Sequence, residues 1–122
     1  MNFFIRQGSS DPILKMKLID DGRYDKSSFN ELLENSEIIF EMYDIKTGSP
    51  IILNGVCSIT TKTTKFNNTT DGYYIVFRFT EEQTFETGKF EGKFIIKFLD
   101  VNQEVTSKLI VPIREKLFIN II

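Results

Sequence analysis

The fold of this chain is decided by residues 88–98, which read Gly88-Lys89-Phe90-Glu91-Gly92-Lys93-Phe94-Ile95-Ile96-Lys97-Phe98. When every second residue is assigned to one face, one face is apolar and the other is mostly lysine and glutamate. The apolar face carries Phe90, Gly92, Phe94, Ile96 and Phe98. A period of two residues is typical of a β-strand with one face on a core and the other in water. Residues 73–80 alternate in the same way, and the polar residues 81–88 between the two stretches predict a corner.

The same alternation recurs along the rest of the chain. It predicts further strands over residues 3–7, 13–19, 37–44, 51–62, 105–113 and 116–122. Within them Asn54-Gly55 predicts a turn or bulge, and Pro112 predicts an edge or bulged strand because proline has no N–H to donate. Ser28 and Glu31 have the spacing of a capping box, which predicts one short helical turn.

Several short strands that follow one another along the chain, with only one helical turn among them, favour a β-sandwich. The sequence therefore predicts an all-β, antiparallel β-sandwich of about eight strands, formed by a single domain over residues 1–122. Its predicted core consists of Phe40, Phe77, Phe79, Phe90, Phe94, Ile96 and Phe98.

Composition argues against several classes of function. Histidine is absent, which removes the commonest general base and metal ligand, and no phosphate-binding loop or dinucleotide fingerprint occurs. The single cysteine, Cys57, lies in an apolar run and is expected to be a small buried thiol. A net charge of −2 leaves no basic footprint for nucleic acid, and no apolar run is long enough to cross a bilayer. We expect no enzyme activity, cofactor, metal, nucleic-acid or membrane partner.

Three further groups of residues could in principle bind a ligand or take part in catalysis. The aspartates in residues 20–25 are better explained as a solvated turn than as cation ligands, since the oxygen-ligand spacing and terminal glutamate of a calcium loop are missing. Glu81-Glu82 is the most visible carboxylate pair, and a solvated corner is its favoured interpretation. Exposed tyrosines at Tyr43 and Tyr74 leave a carbohydrate-binding, lectin-like module as the alternative function.

The threonine-rich residues 58–65 have strand propensity without an obvious buried face, which predicts a strand at a sheet edge. Edge strands present unpaired backbone groups to which another chain can add. We therefore expect this segment, together with the C-terminal strand, to contact a neighbouring subunit by strand addition or edge packing, unless it is an ordinary polar edge. The candidate interaction residues are Ser58, Thr60, Thr61, Lys62, Thr63, Thr64, Lys65, Phe118 and Ile122.

The order of motifs resembles the immunoglobulin-like domain at the N-terminus of bacteriophage baseplate upper proteins, and related stand-alone virion domains. The motifs are Phe4-Ile5-Arg6-Gln7-Gly8-Ser9-Ser10-Asp11-Pro12, Leu18-Ile19-Asp20-Asp21-Gly22, Ile38-Ile39-Phe40-Glu41-Met42, Tyr74-Ile75-Val76-Phe77-Arg78-Phe79-Thr80, Gln83-Thr84-Phe85-Glu86-Thr87-Gly88-Lys89-Phe90, Leu109-Ile110-Val111-Pro112 and Leu117-Phe118-Ile119-Asn120-Ile121. The chain departs from the family at Gln83, which replaces an aspartate, and at Phe90, which replaces a tyrosine and removes any tyrosine-corner hydrogen bond.

The resemblance implies a structural role. It predicts a virion protein, made in the cytoplasm of the host bacterium, that decorates or docks components on the capsid or on the tail and baseplate. Its implied partners are other virion subunits, including further copies of itself. Because the motifs extend to the last strand, we expect no attached fibre or receptor-binding head.

Overall fold

The computed structural model describes residues 1–18, 35–63 and 70–122, and nine β-strands lie within these ranges. Their bounds are β1 Asn2–Ile5, β2 Leu14–Leu18, β3 Ser36–Asp44, β4 Pro50–Val56, β5 Ser58–Thr63, β6 Thr70–Phe77, β7 Gly88–Leu99, β8 Val105–Val111 and β9 Leu117–Ile121. The described part of the chain contains no helix, so the predicted all-β class is confirmed. The helical turn predicted at residues 28–33 lies outside the described residues.

The strands form two sheets. The larger has the order β1-β9-β7-β3-β4, with β8 also paired to β7. One side of β7 pairs with β3 along its length, whereas its other side pairs first with β9 and then with β8. β1 runs parallel to β9, and the remaining pairs are antiparallel. The smaller sheet has the antiparallel order β2-β6-β5.

The core lies between the inner faces of the two sheets. Phe40 of β3 stacks on Phe77 of β6 with ring centroids 4.5 Å apart, and Phe79 meets both rings edge-on. Alternate residues of β7 point inward and are buried, and they are the residues of the apolar face predicted from the sequence. All seven predicted core residues are buried: Phe40, Phe77, Phe79, Phe90, Phe94, Ile96 and Phe98. The two sheets thus pack as layers, consistent with the predicted β-sandwich.

The structure corrects two strand boundaries. The predicted strand over residues 105–113 is too long, because β8 ends at Val111; Pro112 has no N–H with which to continue the ladder, and Ile113 is exposed. The predicted strand over residues 51–62 is two strands, β4 and β5, separated at Cys57. Asn54-Gly55 lies within β4, where the register against β3 shifts, so this dipeptide accompanies a bulge.

Candidate functional site

The predicted interaction segment forms β5 at the end of the smaller sheet. In the described part of the chain β5 pairs only with β6, in a register that runs from Ser58 opposite Val76 to Thr63 opposite Thr70. This is the edge position that the sequence predicts. Ser58 and Thr60 are exposed, while Ile59 between them packs against the core and fixes which face points inward.

The remaining candidates of this segment are only partly placed. Thr61 and Lys62 continue the β5 backbone opposite Tyr73 and Gly72, and Thr63 ends it after a register shift. Thr64 and Lys65 lie outside the described residues. The candidate edge that the structure supplies is therefore the backbone of Ser58–Thr63.

The structure corrects the part of the prediction that concerns the C-terminal strand. β9 lies inside the larger sheet, between β1 and β7, so Phe118 sits on a strand that is paired on both sides. The backbone of Ile122 is also occupied, because its N–H donates to the carbonyl of Ile5 and its carbonyl accepts from the N–H of Gln7. Neither residue can accept an added strand. The exposed Ile122 side chain and the Phe118 ring, which Lys89 covers at 4.3 Å from the centroid, can contact a partner only by packing.

Sequence reasoning missed a junction between the end of β1 and the β6–β7 corner. Thr84 is fully buried, and its hydroxyl donates to the carbonyl of Ser9 at 2.8 Å across 75 residues of sequence. The Gly8 N–H donates to the Thr84 carbonyl at 3.0 Å, and the Gln7 amide donates to the Phe85 carbonyl at 2.6 Å. Gly8 has a positive φ, which lets the chain turn at the junction. A threonine in a polar corner carries no sequence signal of burial.

Replacing Thr84 with valine is expected to lower the free energy of unfolding by about 1–2 kcal/mol, because the half-buried Ser9 carbonyl loses its hydroxyl donor while side-chain shape is kept. Urea denaturation followed by circular dichroism measures the change. Thr87→Val in the same corner is the control, since Thr87 is exposed. Equal effects of the two substitutions would contradict a special role for Thr84.

The aspartates of residues 20–25 lie outside the described residues, and the other chemical groups named from the sequence are Cys57, Glu81 and Glu82. Burial raises the pKa of the Cys57 thiol to about 12, so this group stays protonated at neutral pH, with Sγ 3.6 Å from the Gly55 carbonyl oxygen. Glu81 and Glu82 are both exposed in the corner. The described residues hold no group of three or more acidic or cysteine side chains suited to a metal ion.

Tyr43 and Tyr74, the residues behind the lectin-like alternative, lie on different sheets and do not share a platform. The Tyr43 hydroxyl donates to Glu41 Oε2 at 2.9 Å, and the ammonium group of Lys93 lies 5.2 Å from the Tyr43 ring centroid. The hydrogen bond to Glu41, reinforced by burial and by the charge of Glu41, raises the pKa of Tyr43. One face of this ring is therefore already occupied by the chain itself.

Comparisons with protein-family models, with curated proteins and with solved structures find no match to this chain. Within the ranges that the structure describes, no helix has the length and apolarity needed to cross a bilayer. Within the described residues, the features that can support a function are the β5 edge, the junction of Gln7–Ser9 with Thr84 and Phe85, and the outer surface of the larger sheet.

Proposed function

We propose that this chain is a non-enzymatic structural protein of a bacteriophage virion, an immunoglobulin-like domain that docks or decorates components on the capsid or on the tail and baseplate. On this proposal it is made in the host bacterial cytoplasm, and its partners are other virion subunits.

The strand order supports the immunoglobulin-like assignment. Variable-type domains extend the sheet G-F-C by a strand C′ and pair it with a sheet containing B, E and D. The order β9-β7-β3-β4 corresponds to G-F-C-C′, and the order β2-β6-β5 corresponds to B-E-D. β1 pairs in parallel with β9, the strand that corresponds to G, on the side away from β7. β8 lies between F and G in the sequence and pairs antiparallel with β7.

The observation that carries the proposal is the contact between two motifs of the resemblance. The motif around Gln7-Gly8-Ser9 and the motif around Gln83-Thr84-Phe85 are hydrogen-bonded to each other at three places. Two motifs that lie about 75 residues apart in the sequence thus form one structural unit that joins the segment after β1 to the β6–β7 corner. This unit supports the proposal because both of its segments belong to motifs that carry the resemblance to virion domains.

The β5 edge supplies a means of attachment. Among the described strands this six-residue strand pairs on one side only, and its other side can offer backbone donors and acceptors to a strand from a neighbouring subunit. Lys62 is the one charged residue of β5, so charge protects this edge weakly.

The direct test is mass spectrometry of purified particles of the phage whose genome encodes the chain. The protein is expected in the particles at a fixed copy number. Hundreds of copies would indicate the capsid surface, and a few dozen or fewer would indicate the tail or baseplate. Its absence from the particles would refute the virion role.

Proline substitution tests the β5 edge. Successive backbone N–H groups of a strand point to opposite sides. One of the two substitutions Thr60→Pro and Thr61→Pro therefore removes an N–H that points to β6, and the other removes an N–H on the side of β5 away from β6. The variant whose urea midpoint is unchanged is the one whose proline lies on the side of β5 away from β6. Its occupancy in particles is expected to fall at least about tenfold, because the proline blocks the backbone hydrogen bonds to an added strand. Thr60→Val keeps the N–H and should attach normally. Normal occupancy of both proline variants would exclude strand addition at β5.

A further inference from the structure

The outer face of the larger sheet carries a continuous apolar row across four strands. Ile110 of β8 lies opposite Ile95 of β7, Ile95 lies opposite Ile39 of β3, and Ile39 lies opposite Val56 of β4. Ile110 is 51% exposed and Val56 is 86% exposed, while Ile39 and Ile95 are half-buried. At about 4.8 Å between strands the row spans roughly 14 Å. The outer face of an antiparallel sheet is normally polar, so this row is unusual.

Charged residues flank the row on both sides in a regular arrangement. On one side Lys93 of β7 lies opposite Glu41 of β3, and on the other side Lys97 of β7 lies opposite Glu37 of β3. Thus β7 supplies only cations beside the row and β3 supplies only anions. Glu41 is largely covered and accepts a hydrogen bond from Tyr43, whereas Glu37 is exposed. Among the described residues, neither Lys97 nor Glu37 forms an ion pair within 4 Å.

We propose that this face binds a second copy of the same chain, with a two-fold axis that lies between β3 and β7 and runs close to the strand direction. This symmetry places β7 of one copy on β3 of the other, as an isologous interface requires. Ile95 then meets Ile39, Ile110 meets Val56, and Lys97 meets Glu37, each contact occurring twice. Two sheets packed face to face keep their strands nearly aligned, which maintains these matches across the row.

The charges select this arrangement over its alternative. A two-fold axis along the apolar row, across the strands, would place Lys97 on Lys93 and Glu37 on Glu41, which are like charges. Like charges placed opposite each other disfavour association at an interface. Lys108 lies opposite Lys97 and extends the charged row, and under the proposed axis it falls beyond Val56, the last residue of β4. The dimer does not depend on the virion role.

The first test is sedimentation equilibrium of the whole chain at about 1 μM to about 1 mM, the range in which a small interface should associate. A concentration-dependent rise from monomer to dimer mass is expected. Val56→Lys should weaken the dimer at least about tenfold by placing a charge in the row. Val101→Lys is the matched control, because Val101 is 96% exposed in the turn after β7 and lies off the row. A monomer throughout the range, or equal effects of the two valine substitutions, would overturn the proposal.

Charge exchange provides the second test. Lys97→Glu and Glu37→Lys should each lower the affinity at least about tenfold, since each opposes like charges twice in a homodimer. An equimolar mixture of the two single variants should form heterodimers, and the double variant K97E/E37K should regain the original affinity. Far-UV circular dichroism checks that each variant is folded. Failure of the mixture and of the double variant to recover dimerisation would refute this symmetry, even if the wild-type chain self-associates.

Discussion

Replacing Phe94 with alanine is expected to lower the free energy of unfolding by about 3–5 kcal/mol, the cost of truncating a buried aromatic residue. Phe94 is completely buried at the middle of β7, opposite Phe40 of β3 and Val111 of β8. Its ring lies 5.0 Å from that of Phe40, which is itself packed against Phe77. The surrounding rings are held by both sheets, so they cannot collapse fully into the space left by the substitution.

Chemical denaturation of the wild type and the variant measures this change. Phe85→Ala is the matched control, because the Phe85 ring is 70% exposed and its loss should change stability by less than about 0.5 kcal/mol. A loss below about 1 kcal/mol for Phe94→Ala would mean that the inner face of β7 is not the centre of the core.

Replacing Gly92 with alanine is expected to destabilise the fold by about 1–3 kcal/mol through overpacking. A Cβ at this position would lie 2.9 Å from Cε1 and Cζ of Phe40 and 3.3 Å from Cγ1 of Ile119. Removing glycine from the unfolded state would by itself stabilise the protein by about 0.4–1 kcal/mol. The steric term should exceed this gain because the Phe40 ring is buried among other rings and has little room to move.

A double-mutant cycle with Phe40→Leu isolates the steric term. Leucine lacks the ε and ζ carbons that the new methyl group would meet, so Gly92→Ala should cost little in the Phe40→Leu background. The free energies of unfolding of all four proteins come from urea denaturation. Stabilisation by Gly92→Ala alone, or an equal cost in both backgrounds, would contradict the close approach of β7 to Phe40.

The faces of the main strands were predictable from the sequence. In β7 the alternation of phenylalanine with lysine and glutamate places Phe94 inside and Lys93 outside, and the structure follows it. The edge position of β5 was also predictable, since a threonine-rich strand lacks the apolar face that a central strand needs. Each of these predictions depends only on which side of a strand meets water.

The partners of the strands could not be predicted in the same way. β6 and β7 are consecutive strands with aromatic residues on their inner faces, yet they belong to different sheets, and β7 instead pairs with β3 from much earlier in the chain. The alternation shows on which face of a strand a residue lies. It does not show which strand pairs with it, because that depends on contacts between residues distant in sequence. For the same reason the sequence does not show that β9 is paired on both sides, with β1 along one side and β7 along the other.

The amino-acid sequence by itself thus determined the all-β class, the inward residues of the core and, within the described residues, the edge position of β5. Only the tertiary structure decided that Thr84 is buried against Ser9, and that Ile110, Ile95, Ile39 and Val56 fall in one row. Both features arise where segments far apart in sequence meet in a specific register. The alternation within a strand determines which face each residue occupies, but it does not identify the residue of a distant strand that lies opposite.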